Sequence, residues 1–437
     1  MVQQKLIFSD KIENEDEIHQ KEKLVPKIRF SEFNDNWNII KIENNAIIKG
    51  RIGWKNLKSE EYTDEGPFLI AGKHISNGII NWKECDHITH ERYDESPEIA
   101  LKNGDIIFSK DGSLGNPALI KNLGFEATIN GTMMLVRLNQ KKINPNYFYQ
   151  VLNSDYFFRL LHLLKSGSSI PHIFQRDMIN FKFPICSIKE QKKIANFLEK
   201  IDEKIELLKK EYQYYENYKK YFMQQIFLGN LRFKDNNGEN FKNWEKVRLK
   251  EVNIKISDGN YGEAYPKEKD FKNEGVPFIR SVNIQNSKLT FEDMRYISQS
   301  LHNTLLQGHL KENDILITTR GDIGLVAYVT NDFANSNINA QICLLRVFDK
   351  NIHPKYLFYF LTTSFLQKQL LKYQTGSALK QLPKNSLKDL KLLIPQYEEQ
   401  IKIVDFLVEL DKKMDLIEEK IHETMKFKKS LLQQMFV

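Results

Sequence analysis

Three kinds of residue group in this chain carry atoms able to do chemistry. Cys85-Asp86-His87, with His90 three residues further on, offers thiolate, carboxylate and imidazole donors suited to zinc. Asn144-Pro145-Asn146-Tyr147 joins an amide, which can hold an amino group, to a ring that can stack on a flipped base. Lys110-Asp111-Gly112-Ser113-Leu114-Gly115 and Thr319-Arg320-Gly321-Asp322-Ile323-Gly324 are polar, glycine-bearing loops after β-prone runs. Glycine there serves either a tight turn needing positive φ or a backbone that approaches a phosphate while its neighbours touch bases.

The first two groups have blander readings. The zinc donors lack an evident fourth ligand and read as a polar strand edge. Asn144-Pro145-Asn146-Tyr147 is similar to the Asn-Pro-Pro-Tyr loop of N6-adenine methyltransferases, but no cofactor loop precedes it. Proline at the first position of a helix explains it better. The glycine loops match neither the P-loop nor the GxGxxG pattern, so they do not indicate a nucleotide site.

The elements that must position these groups are written twice. Leu101-Lys102-Asn103-Gly104-Asp105-Ile106-Ile107 recurs as Leu310-Lys311-Glu312-Asn313-Asp314-Ile315-Leu316, a shift of 209 residues. At that shift Gly112 meets Gly321, Gly115 meets Gly324, Arg137 meets Arg346, Pro145 meets Pro354 and Gly167-Ser168 meets Gly376-Ser377. Further on, Glu190-Gln191 meets Glu399-Gln400, Phe197-Leu198 meets Phe406-Leu407, and Gln224-Gln225-Ile226-Phe227 meets Gln433-Gln434-Met435-Phe436. The register holds ungapped for about 125 residues. With small gaps upstream, the first copy runs from 26 to 229 and the second from 230 onward. The repeat also tests the chemistry. His353-Pro354-Lys355-Tyr356 keeps the proline and tyrosine and loses the asparagine, and the zinc donors become Met294, Tyr296 and Gln299. No carboxylate cluster with a lysine, and no Ser/His/Asp or Cys/His arrangement, recurs in both copies, so catalysis by this chain is not expected.

Each copy predicts a mixed α/β globule followed by a long helix. Strands are expected at Asp105 to Ser109, Thr132 to Leu138, Asp314 to Thr318 and Ile342 to Val347, and a helix over Tyr147 to Leu164. Ile194, Leu198, Ile201, Ile205, Leu208, Tyr212, Tyr215, Lys219, Phe222 and Ile226 alternate spacings of four and three. So do Ile403, Leu407, Leu410, Met414, Ile417, Ile421, Thr424, Lys428, Leu431 and Met435. That is the seam of a coiled coil about forty residues, or roughly 60 Å, long. The expected fold is α+β: two tandem mixed globules and two long helices in an antiparallel coiled coil, a pseudo-twofold object with the globules at opposite ends of a rod.

Composition agrees and excludes little. Of 437 residues 41% are hydrophobic and 28% charged, enough apolar content for real cores in two or more domains. The net charge of +7 permits a polyanionic partner without demonstrating one. Cys85, Cys186 and Cys343 lie far apart, so neither a CxxC zinc motif nor a disulfide framework is present. No apolar run reaches membrane-spanning length, and the N-terminus lacks a signal-peptide pattern. A reduced, cytoplasmic protein without a membrane partner is expected.

In order and in duplicate, these features resemble the specificity subunit of type I restriction-modification systems. Pro26-Lys27-Ile28-Arg29-Phe30, Phe33 and Trp37 look like the opening of that family's target-recognition domain, and Gly104 to Gly115 like its strand and glycine loop. Gly376-Ser377-Ala378, Leu392-Leu393-Ile394-Pro395, Glu399-Gln400-Ile401, Ile403, Phe406-Leu407 and Asp411 look like its domain end and helix. Cys186 departs from the pattern where the second copy has Pro395, and residues 1–25 match nothing. The resemblance implies a first target-recognition domain over 1–187 with 1–25 unassigned, a first conserved helix over 188–229, a second domain over 230–396 and a second helix over 397–437. It implies a non-catalytic reader of double-stranded DNA, each domain reading half of a bipartite, asymmetric site. The helices would set the gap and dock two methyltransferase subunits, joined by restriction-motor subunits. S-adenosylmethionine, ATP and Mg²⁺ would belong to those partners, with no cofactor or metal in this chain. The alternative is a two-domain coiled-coil scaffold without sequence-specific DNA binding.

Contact residues are expected where the scaffold repeats and the side chains differ. In the first copy these are Lys73, His74, Asn77, Lys110, Asp111, Gly112, Ser113 and Ser168. In the second they are Arg280, Asn283, Asn286, Thr319, Arg320, Gly321, Asp322 and Ser377. Arg320 is the sharpest case, because a guanidinium can hold guanine O6 and N7 together.

Overall fold

The computed structural model describes residues 24–51, 57–166, 171–262, 265–376 and 380–436. The chain divides into two compact units, Met1–Lys209 with Glu419–Val437, and Lys210–Glu418. The division therefore falls within the long helices, Ile188–Phe227 and Tyr397–Met435, so that each helix contributes one part to each unit.

In the first unit a four-stranded antiparallel sheet runs in the order Ala46–Gly50, Met133–Leu138, Ile106–Ser109, Gly115–Leu119. Its central strands are covered on both faces, and their period of two sorts the side chains. Ile106, Phe108, Met134 and Val136 join one core with the helices. Ile107, Met133 and Leu135 join a second core under the three-stranded sheet of Asp86–Ile88, Tyr62–Ile70 and Ala127–Ile129. The second unit repeats the design. Its four-stranded sheet runs Ile254–Asp258, Ile342–Val347, Ile315–Thr318, Val326–Tyr328, and its three-stranded sheet Arg295–Ile297, Val276–Ile279, Asn337–Ile338.

The most visible sequence repeat has a local cause. Asp105 accepts from the Lys102 amide at 2.7 Å and from Arg137 Nε and Nη2 at 2.8 and 2.7 Å. Asp314 does the same with the Lys311 amide and Arg346, each at 2.7 Å. Between donor and acceptor the chain passes through positive φ, at Gly104 (φ 91°) and Asn313 (φ 72°). Glycine and asparagine tolerate that conformation best. One expectation is corrected: the helix predicted over Tyr147 to Leu164 is two helices, Pro145–Leu152 and Asp155–Ser166. Ser154 turns its hydroxyl back to the Val151 carbonyl at 2.6 Å and Asn153 its amide to the Tyr149 carbonyl at 2.8 Å, local bonds that compete with continuing the helix. The second unit breaks at the same place, between Pro354–Leu361 and Ser364–Lys372.

The long helices pair antiparallel. Asp202 of the first meets Lys428 of the second at 2.6 Å in the first unit, and Lys219 of the first meets Asp411 of the second in the second unit. Both lysines are seam positions, and 219 and 428 differ by the repeat shift of 209. The aspartates also bind their own globules: Asp202 accepts from Gln150 at 3.0 Å and Asp411 from Tyr359 at 2.6 Å. A polar pair in an apolar seam favours one register over its neighbours. Around them Ile194, Leu198, Ile201 and Ile205 are buried in the first unit and Ile403, Leu407, Leu410 and Ile417 in the second, with Leu208 and Met414 half-buried.

Each helix ends in the core that the other copy begins. Phe436 packs on Trp37 and Tyr147 with centroids 6.3 and 5.5 Å apart. Phe227, its equivalent, packs on Tyr356 and Phe360 at 5.7 and 5.3 Å.

Candidate nucleic-acid interface

The glycine loops leave the ends of fully buried strands, Ile106–Ser109 and Ile315–Thr318, so their bases are rigid. Gly112 and Gly321 have φ of 69° and 72°, and a Cβ at either would meet nothing within 4 Å. The turn requires the left-handed conformation, and the space above it is open to an approaching backbone. Gly115 and Gly324 share the positive φ, at 87° and 88°, and carry a second constraint. A Cβ there would come within 2.8 Å of Leu161 and 3.0 Å of Gln367, on the helix that packs beneath.

A second segment closes on each loop. The Ile173 amide donates to the Lys110 carbonyl at 3.0 Å, and Asp111 and His172 form a β-bridge. The Leu382 amide donates to the Thr319 carbonyl at 2.8 Å, and Arg320 and Gln381 form the equivalent bridge. Side chains of both segments thus share one edge in each unit. In the first unit Asp111 is hydrogen-bonded to His172, whose ring lies 4.3 Å from Phe174, and Arg176 sits 4.7 Å over Phe174. In the second, Arg320 lies 5.7 Å over Tyr261, whose hydroxyl donates to the Ala340 carbonyl at 3.1 Å, while Lys384 pairs with Asp258 at 2.9 Å. His172, Phe174, Arg176, Tyr261, Gln381 and Lys384 were not among the residues expected from sequence. The one available signal was that 172 and 381 are also separated by 209.

The expected residues fall into four groups. Ser113, Gly112, Gly321, Asp322 and Arg320 are exposed on the loops, with Asp111 and Lys110 partly so. Lys110 lies across Gly50, where a Cβ would be 3.7 Å from its Nζ. Asn77 and Asn286 are hairpin tips at φ 51° and 50°, each followed by another residue of positive φ, as a tight two-residue hairpin turn requires. Lys73 is exposed beside Asp86 at 3.3 Å. His74, Asn283 and Thr319 belong to packing instead. His74 Nδ1 accepts from the Ala71 amide and Asn283 Oδ1 from the Arg280 amide, both at 3.0 Å, and both side chains are buried. Thr319 is buried with its hydroxyl on the Gln341 carbonyl at 3.0 Å. None of the three offers surface to a duplex. Arg280 is half-buried and donates to the Asp293 carbonyl. Ser168 and Ser377 lie outside the described residues.

The other chemical groups resolve into structure. Asn144 Oδ1 caps its helix on the Tyr147 amide at 3.0 Å, and Tyr147 is fully buried with its hydroxyl on the Pro184 carbonyl, so that ring cannot stack on a base. Cys85 donates to the Asn81 carbonyl, and burial raises its thiol to about 11. His87 binds the Gly66 carbonyl at 2.7 Å and His90 the Glu126 carboxylate at 2.9 Å. Among the described residues no group of three or more His, Cys, Asp or Glu side chains could hold a metal, and no helix is long and apolar enough to cross a membrane.

Residues 32–217 and 241–425 match the family model for the type I restriction modification DNA specificity domain, and the chain belongs to that family. It is 27% identical over 396 residues to the type I restriction enzyme MjaVIII specificity subunit of Methanocaldococcus jannaschii, covering 87% of this chain and 88% of the relative. It is 23% identical over 407 residues to the EcoBI specificity subunit of Escherichia coli, covering 90% and 82%. The crystal structure of the type I restriction-modification S subunit from M. genitalium has the same fold, with a TM-score of 0.58 at 17% identity, over 95% of this chain and 99% of that one.

Arg320 gives the loop surface a direct test. Arg320→Ala, assembled with its methyltransferase partner, should weaken DNA binding by about 1–3 kcal/mol. Relaxation of one base position identifies a base contact. Uniform weakening with the salt slope lowered by about one identifies a phosphate contact. Unchanged affinity on all site variants removes Arg320 from the interface.

Proposed function

We propose that the chain is the DNA-recognition subunit of a type I restriction-modification complex, each repeat reading one half of a bipartite, asymmetric site. One observation carries the reading: the two frames share their ion pairs, caps and glycine turns, while Lys110-Asp111-Gly112-Ser113 becomes Thr319-Arg320-Gly321-Asp322 at the open edge. A common scaffold with different side chains at one edge serves two different targets. The helix pair fixes the gap and docks two methyltransferase subunits, which carry S-adenosylmethionine. Restriction-motor subunits carry ATP and Mg²⁺. The complex works in the cytoplasm, where its DNA is.

The purified chain alone should transfer no methyl group and make no cut. With methyltransferase subunits it should select, from randomised duplexes, two short blocks separated by a gap of fixed length. Methyl transfer by the single chain would overturn the reading. Assembly with the partner but no selected sequence would favour a scaffold without DNA specificity.

A further inference from the structure

Asp111 and His172 are 61 residues apart, yet they meet at the open edge of the first glycine loop. Their backbones are bridged, and His172 Nδ1 is bonded to Asp111 Oδ1. The segment that carries the imidazole is anchored on both sides of Phe174. Ile173, next in the chain, is fully buried, and Gln175 donates to the Ile48 carbonyl at 2.9 Å. The Phe174 ring lies against the imidazole at 4.3 Å. What remains for a ligand is Asp111 Oδ2 and His172 Nε2, which have no partner among the described residues, on side chains 35% and 27% exposed. A carboxylate whose other oxygen is fixed is an acceptor with one direction left.

We propose that Asp111 reads an exocyclic amino group, cytosine N4–H or adenine N6–H, in the major groove of one half-site, and that His172 is the residue that positions it. The proposal rests on the DNA-reading function above. An aspartate accepting from cytosine N4 is an established form of base readout. Repulsion of the carboxylate by phosphates is offset by Lys110 on the same loop and by Arg176, held over Phe174. The second repeat carries the opposite sign at the same place. Arg320 stands where Asp111 does and Gln381 where His172 does. An acceptor in one reader and a donor in the other would select bases of opposite edge character, and so make the two half-sites different.

The test uses the chain assembled with methyltransferase subunits, on the duplex that the wild-type complex selects. Each amino-bearing base of that duplex is replaced in turn by purine for adenine or 2-pyrimidinone for cytosine. At one position in one half-site, wild type should lose on the order of tenfold in affinity. Asp111→Ala and His172→Phe should show that loss already on the parent duplex and no further loss on the analogue. His172→Asn, which keeps an N–H where Nδ1 stood, should bind like wild type. Equal analogue losses for wild type and Asp111→Ala at every position would overturn the reading of Asp111. Wild-type discrimination by His172→Phe would overturn its positioning role. Failure of the wild-type complex to select any sequence would instead overturn the DNA-reading function.

Discussion

Glu399→Ala is expected to destabilise the second unit by about 3–5 kcal/mol, the range for removing the buried partner of an ion pair. Glu399 is 0% exposed. It accepts from Arg232 Nε and Nη2 at 3.0 and 2.7 Å and from Trp244 Nε1 at 3.0 Å. Three donors from the start of the second repeat thus converge on one carboxylate at the start of its long helix. Removing the carboxylate leaves Arg232 Nε and Trp244 Nε1 without an acceptor, while Arg232 Nη2 keeps the Lys242 carbonyl at 2.7 Å, and it frees the segment that begins the domain. Glu190→Ala should do the same in the first unit, where Arg29 binds at 2.7 and 2.9 Å and Trp37 Nε1 at 3.2 Å. Denaturant unfolding measures it. Glu399→Ala combined with Arg232→Met should recover part of the loss, because the second change removes the orphaned cation. A loss below about 1 kcal/mol, the range of exposed pairs, would contradict the account.

The second large effect is on geometry rather than stability. Seven residues inserted after Lys209, matched by seven after Glu418, should lengthen each helix by about 10 Å and keep the seam in phase. Those positions are where the units divide. The gap between half-sites should grow by about three base pairs at about 3.4 Å each, or activity should be lost, with the half-site letters unchanged. An unmatched insertion should also pull apart the Lys219–Asp411 or Lys428–Asp202 pair and destabilise the chain. Sequence selection from randomised duplexes reads the gap. New letters at an unchanged gap would contradict the helix pair as the spacer.

The repeat and the strands were legible because their signals are local. Ile106 to Ser109 and Ile342 to Val347 are short apolar runs between turn residues, and the seam is a spacing of four and three. The break at Asn153-Ser154 was not legible, because apolar residues continue on both sides and only side-chain bonds to the backbone end the first helix. The anchor of each domain was hidden by distance: Trp37 and Glu190 are 153 residues apart. The proposed reading edge was half visible. Glycines conserved between copies marked the loops, but the closing segments at His172 and Gln381 reach them only in three dimensions. His74 and Asn283 misled because a polar side chain that caps its own turn looks, in sequence, like one that faces solvent. Burial separates the two cases, and burial is not written in a six-residue window.

The proposed function has each repeat read its own half-site. Its most direct measurement is a domain exchange: residues 1–187 replaced by the corresponding domain of another family member, keeping the equivalents of Trp37 and Tyr147 that receive Phe436. The exchanged chain is assembled with methyltransferase subunits, and the sequence it methylates is read from total DNA. One block is expected to change to that of the donor while the other block and the gap stay as in wild type. A change in both blocks, or in neither, would contradict it.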